Sequence, residues 1–144
     1  MVPNKFKGAY RLALEYAQER EQFVRPVAEF QGLQWMLADM SISLAAARTL
    51  IHRAAVCPAG QFPDVVEAAQ AKIFAPEMAI GVTNDALQIF GAAGYSRARP
   101  LERMVSDARM FTIGGGTAQI LRTQLASRIL GKRLPQTRDG YVKE

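Results

Sequence analysis

The stretch Phe30-QGLQWMLADMSISLAAARTLIHR-Ala54 decides the fold. Within it Phe30, Leu33, Leu37, Met40, Leu44, Ala47, Ile51 and Ala54 follow one another in steps of three and four. Residues so spaced share one face of an α-helix, which predicts a continuous amphipathic helix of about 25 residues. The opposite side holds Trp35, Met36, Ile42 and Leu50. A helix apolar on more than one side is deeply buried or shared with another subunit, and the surplus favours a homo-oligomer.

Working outward, Val56-CPAGQF-Pro63 is a turn rich in Pro and Gly, and Asp64 suits a helix N-cap. A second series runs through Val66, Ala69, Ile73, Ile80, Leu87 and Phe90, with Pro76 and Thr83 on two seam positions. Pro76 removes a backbone donor and is expected to kink or restart that helix. Pro100 can open a short helix to about Arg109. Gly114–Gly116 breaks the pattern, Thr117 suits an N-cap, and Ile120, Leu121, Leu125 and Ile129 form a last amphipathic helix ended by Gly131. Upstream, residues 4–22 place Phe6, Tyr10, Ala13, Leu14 and Ala17 on one side. Nothing alternates long enough for a convincing strand. The expectation is all-α: an antiparallel, up-down-up-down four-helix bundle over residues 1–131, with a flexible basic tail at 132–144.

Composition excludes several functions. With 144 residues, 49% hydrophobic and 22% charged, the chain can bury a core without staples and is not disordered. Its longest uncharged run, Met110–Leu121, is too short and too glycine-rich for a membrane span. Residues 1–7 carry no secretory-signal stretch. One Cys (Cys57) and one His cannot form an internal disulfide or a His/Cys metal cage, so no metal is expected. The single thiol fits a reducing compartment, cytoplasmic or, in a eukaryote, the mitochondrial matrix. Residues 97–138 hold nine Lys/Arg against Glu102 and Asp107. Such a segment could face nucleic acid, a membrane surface or a phosphorylated molecule. Phe111 is its lone aromatic, so no base-stacking platform accompanies the charge, and nucleic acid is not the expected partner.

Three stretches depart from plain bundle chemistry. Arg20-Glu21-Gln22-Phe23-Val24-Arg25-Pro26 sets arginines beside an aromatic, which suits a phosphate and a planar group, or simply a helix end with its cations. Gln88-Ile89-Phe90-Gly91-Ala92-Ala93-Gly94-Tyr95 allows close approach to backbone, or merely terminates a helix. Thr112-Ile113-Gly114-Gly115-Gly116-Thr117-Ala118-Gln119 presents free N–H groups at a helix start, where anions are favoured. It is neither a Walker loop nor a Gly-x-Gly-x-x-Gly fingerprint.

Together, from about Ala9 to Gly131, the chain resembles the C-terminal helical domain of the acyl-CoA dehydrogenase flavoproteins. That family is marked by Arg-x-x-Phe-Gly, Phe/His-Gln, Gln-x-x-Gly-Gly-x-Gly-Tyr/Phe, Arg-Asp and Gly-Thr-x-Glu/Gln-Ile-x-Arg. Here Arg20–Phe23, Phe30-Gln31, Gln88–Tyr95, Asp107 and Gly116–Arg122 answer in the same order and spacing. The resemblance implies FAD-dependent α,β-dehydrogenation of an acyl-CoA in fatty acid metabolism, with an electron-transfer flavoprotein or similar acceptor. It implies that Arg20, Gln22, Phe23, Gln31, Gln88, Ile89, Gly91 and Ala92 contact the FAD of a neighbouring subunit. Thr117 and Gln119 would contact FAD in the closing loop, with Gly116 beside the thioester, in a homo-oligomer (dimer or tetramer).

Departures from the pattern are Val24 for a motif glycine, Ala92 for the second glycine of a pair, and Ser106 for the arginine before Asp107. Gly115 stands where many members carry the catalytic glutamate, and glycine cannot take a proton. No catalytic base is therefore assigned in this chain; other branches carry it on an earlier helix. The family's other domains lie outside this sequence, so the isolated chain is expected neither to hold FAD tightly nor to oxidise acyl-CoA. The alternative is a non-catalytic scaffold subunit of a flavoprotein complex.

Overall fold

Alanine sets how closely these helices approach. The structure, a computed structural model, describes residues 2–58 and 60–134. The elements are α1 (Val2–Glu19), strands β1 (Glu21–Gln22) and β2 (Arg25–Pro26), a 3-10 turn at Val27–Glu29, and α2 (Gln31–Ala55). Then come α3 (Val65–Phe90), α4 (Ala92–Tyr95), α5 (Leu101–Phe111) and α6 (Ala118–Leu130). α3 is the axis: α1, α2, α5 and α6 all pack against it. Ala9, Ala13 and Ala17 of α1 and Ala47 of α2 meet Ala75, Val82, Ala86 and Phe90 of α3 in one core. Phe6, Ala79 and Ala108 form a second, where Phe6 meets Phe111 edge-on at 6.1 Å. Each fully buried large side chain, such as Phe6, Met40 or Leu101, contributes about 1.5–3 kcal/mol.

The all-α bundle is as expected, and the stripe from Phe30 to Ile51 packs on the core through Met40 and Ala47. Trp35 and Ile42 on its other side stay 62% and 65% exposed. The punctuation also holds. Asp64 Oδ1 accepts from the Val66 and Glu67 N–H groups, and Thr117 caps α6 through the Ile120 N–H. Gly131 is left-handed (φ 60°), and Lys132 N–H donates to the Ser127 carbonyl, which closes α6 with a Schellman turn. No helix among the described residues is long and apolar enough to cross a membrane. Of the expected basic tail, residues 135–144 lie outside the described residues.

Three details refine the expectation. α3 neither stops nor restarts at Pro76: it runs from Val65 to Phe90 with Pro76 and Thr83 both buried. The proline still removes the N–H that would bond the Lys72 carbonyl. An apolar cavity of about 340 Å³, lined by Ile51, Lys72, Pro76 and Phe111 among others, lies beside it. Buried Thr83 is satisfied by donating to the Ala79 carbonyl at 2.8 Å. α5 continues to Phe111, two residues past Arg109. α1 ends at Glu19, and the chain then turns through a β-hairpin with strands of two residues each instead of continuing as helix.

One acidic pair lies between α2 and α3. Burial first, and the charge of Asp39 second, push the Asp85 carboxyl above its ordinary range. Between its ordinary and raised values the folded chain binds that proton more tightly than the unfolded chain, so stability falls as pH rises through this window. Asp85→Asn should therefore raise the urea midpoint at neutral pH and lose its advantage in acid. A midpoint unchanged at neutral pH contradicts this.

Candidate functional site

The two ends of α3 carry two separate candidate surfaces. At its C-terminal end a cavity of about 350 Å³ is lined by Tyr16, Arg20, Gln22, Val27 and Ile89–Ala93. Tyr16 and Phe90 stack there with ring centroids 3.9 Å apart. The hairpin brings Arg20 and Gln22 to this end because Val27 is buried and its N–H donates to the Arg20 carbonyl at 2.7 Å. Gly91 ends α3 at φ 57° and ψ −135°, a combination only glycine adopts without strain, and no atom lies within 4 Å of the Cβ it lacks. Gly94 is required for a different reason. A Cβ there would stand 2.7 Å from Phe90 Cβ and 2.9 Å from the Leu87 carbonyl oxygen.

Five expected site residues (Arg20, Gln22, Ile89, Gly91 and Ala92) thus line one concavity. Phe23, Gln31 and Gln88 do not line it: Phe23 is 86% exposed at the hairpin tip, and both glutamines are exposed. Phe23 meets Phe30 edge-on at 6.1 Å, and the Arg25 guanidinium lies 4.2 Å from the Phe30 ring centroid. Among the described residues no carboxylate pairs with Arg20 or Arg25, so both cations are open to an anion.

Toward the other end of α3 lies the loop 112–117. Gly115 and Gly116 have φ of 70° and 95°, both in the left-handed region that favours glycine. Thr117 is half-buried as the α6 cap, whereas Gly116 and Gln119 are exposed. Three long-range side-chain hydrogen bonds tie this region to α3. Lys72 Nζ donates to the carbonyls of Phe111 (2.8 Å) and Gly114 (2.9 Å). Arg122 Nη2 donates to Glu77 Oε2 at 2.6 Å, and this hydrogen bond holds the Glu77 carboxyl below its usual range. At Gly115 the chain offers no proton-transfer group.

Lys72 and Ile89 are seventeen residues apart on α3, about 25 Å at 1.5 Å per residue. Thr117 and Gln119 are not among the residues that line the Arg20 cavity. The cavity walls Tyr16 and Val27 carry no sequence signal of their own, being ordinary apolar positions, whereas Phe90 and Ala93 fall within the marked stretch Gln88–Tyr95. Lys72 and Glu77 were equally unmarked as site residues. Yet Lys72 is the only Lys or Arg between Arg53 and Arg97, and that isolation was visible.

Comparison with known proteins gives a consistent picture. The family model described as acyl-CoA dehydrogenase, C-terminal domain, matches residues 3–130. A 3-sulfinopropanoyl-CoA desulfinase of Paraburkholderia xenovorans is 67% identical over 134 residues, 93% of this chain and 34% of that protein. A short-chain specific acyl-CoA dehydrogenase of Clostridium acetobutylicum is 40% identical over 123 residues, 85% of this chain and 32% of that protein. The structure of butyryl-CoA dehydrogenase from Megasphaera elsdenii superimposes with a TM-score of 0.85 at 36% identity, covering 90% of this chain and 34% of that one. The chain spans about a third of the length of the curated relatives it matches.

The hairpin tip holds local strain. Phe23 and Val24 have φ of 52° and 65°, the paired positive values of a type I′ turn, where Asn-Gly is usual. A left-handed residue other than glycine costs about 1–2 kcal/mol, and branching at Cβ makes valine a poor choice. Val24 is 99% exposed, so no packing within the chain offsets this. After subtracting glycine's larger unfolded-state entropy, Val24→Gly should stabilise the chain by about 1 kcal/mol. Urea denaturation checks it, and a destabilised variant contradicts the turn assignment.

Proposed function

The chain belongs to the acyl-CoA dehydrogenase family as its C-terminal helical domain, and from that premise we propose that the complete protein is a flavin-dependent desulfinase of a 3-sulfinopropanoyl-CoA-like thioester. The observation that carries this reading is the 67% identity to a desulfinase, with which the missing side chain at Gly115 is consistent. Removing hydrogen across Cα–Cβ needs a carboxylate to take the α-proton, and the position that supplies it in many members has no side chain here. Desulfination has a different balance. The Cβ–sulfur bond breaks, a Cβ–hydrogen bond forms, and water supplies the hydrogen and the oxygen of the departing hydrogen sulfite. Sulfur is oxidised as carbon is reduced, so no external acceptor is needed. The identity of 67% to a desulfinase against 40% to a dehydrogenase supports the same choice.

The residues present fit FAD. Among the described residues no carboxylate competes for Arg20, and Gly91 exposes backbone in a cavity of about 350 Å³, room for part of a dinucleotide. Arg20 would hold phosphate, with Gln22, Ile89, Gly91 and Ala92 around it. Phe23, Gln31 and Gln88 would reach the same FAD from the rim. Thr117 and Gln119, which lie outside that cavity, would touch a second FAD, with Gly116 beside the thioester. When bound, FAD supplies an electron-accepting ring beside the acyl group. A second copy of the chain would cover the exposed face of α2 around Trp35 and Ile42. An electron-transfer flavoprotein partner belongs to the dehydrogenase alternative, in which an upstream helix supplies the base.

The test is the complete protein incubated with 3-sulfinopropanoyl-CoA. Sulfite should appear in equal amount to substrate lost, with no dye reduced when butyryl-CoA is supplied instead. Butyryl-CoA-dependent dye reduction without sulfite release would overturn the proposal in favour of a dehydrogenase.

A further inference from the structure

We propose that Lys72 is the positioning residue of the closing loop, fixing Gly114–Thr117 from beneath so that Thr117, Gln119 and Gly116 meet FAD and thioester in register. The inference rests on the functional reading above. α5 ends at Phe111 with carbonyls that have no intrahelical donor, and Gly114–Gly116 come next with little side-chain packing to hold them. Lys72 meets both needs. Its ammonium donates to the Phe111 carbonyl at the helix end and to the Gly114 carbonyl in the loop. Positive charge at a helix C-terminus is favourable, and charge-assisted bonds are stronger than neutral ones.

The placement is specific. Lys72 Cε lies 3.8 Å from the Cβ that Gly115 lacks, so the lysine stem also supports the loop at its most permissive residue. The remaining restraints are local. Gly114 N–H donates to the Met110 carbonyl, and Ala118 N–H donates across the loop to the Thr112 carbonyl. Local turns set the shape of a loop but not its height above a neighbouring helix; a tether 39 and 42 residues away in sequence sets that height. Arg122 and Glu77 then hold α6 on α3.

Three measurements decide it. In the unaltered chain, the Lys72 ammonium should give a slowly exchanging ¹H–¹⁵N signal; exchange as fast as that of exposed Lys132 would overturn the tether. Lys72→Met should speed amide exchange of Gly114 and Ala118 by about tenfold while Val82 in α3 keeps its protection. Unchanged loop exchange in a folded variant would overturn it. In the complete flavoprotein, Lys72→Met should loosen FAD about tenfold and lower kcat more than it raises KM, with Lys72→Arg recovering part of both. Wild-type FAD affinity and kcat in Lys72→Met would overturn the positioning role and leave the family reading intact. A complete protein that binds no FAD would instead sink the functional reading, and the two exchange measurements would still decide the tether.

Discussion

Everything in this domain depends on α3 being buried on several sides by small residues. Ala71, Ala75, Ala79 and Ala86 let α1, α2 and α5 approach one helix closely, so a single rod of 26 residues sets the position of nearly every other element. Packing of this density resists sliding, because shifting one helix opens voids along its whole length. The rod therefore works as a spacer. One end carries Gly91 and the aromatic pair Phe90–Tyr16, and the region near the other carries Lys72 and the glycine loop.

Charge does a different job from packing here. Arg53–Glu67 joins the C-terminal end of α2 to the start of α3, and Glu77–Arg122 joins α3 to α6. Both pairs are partly exposed, and such pairs typically contribute little to stability. Their worth is geometric, most of all for Glu77–Arg122, which orients a helix whose apolar contact is small. α6 is the clearest case, since Ala118 is its one fully buried residue while Ile129 and Leu130 remain exposed. A helix so lightly covered by its own chain fits a domain completed by other polypeptide.

The sequence made the regular parts legible. The steps of three and four along α2 need only helical geometry, and Asp64, Thr117 and Gly131 act through bonds to residues within a turn. The hairpin was not legible, because Phe23-Val24 carries none of the usual turn chemistry and each strand is two residues long. Its turn is imposed from outside, by burial of Val27 and the bond from Val27 N–H back to Arg20. Pro76 does not restart the helix, because neighbouring helices pack on several sides of the rod and hold it as one. Motif order singles out Arg20, Gln22, Ile89, Gly91 and Ala92, although nothing in their spacing says that segments nearly seventy residues apart line one cavity. The contacts of Lys72 are not legible, because its partners are backbone carbonyls, which leave no trace in residue identity.

On the reading proposed above, Arg20 and Thr117 belong to two different cofactor-facing edges of the domain. A crystal structure of the complete protein with FAD tests it most directly. Arg20 and Thr117 of the same chain should touch two different FAD molecules, each also held by another part of the assembly. Finding both residues on one FAD, or neither near any, would contradict it.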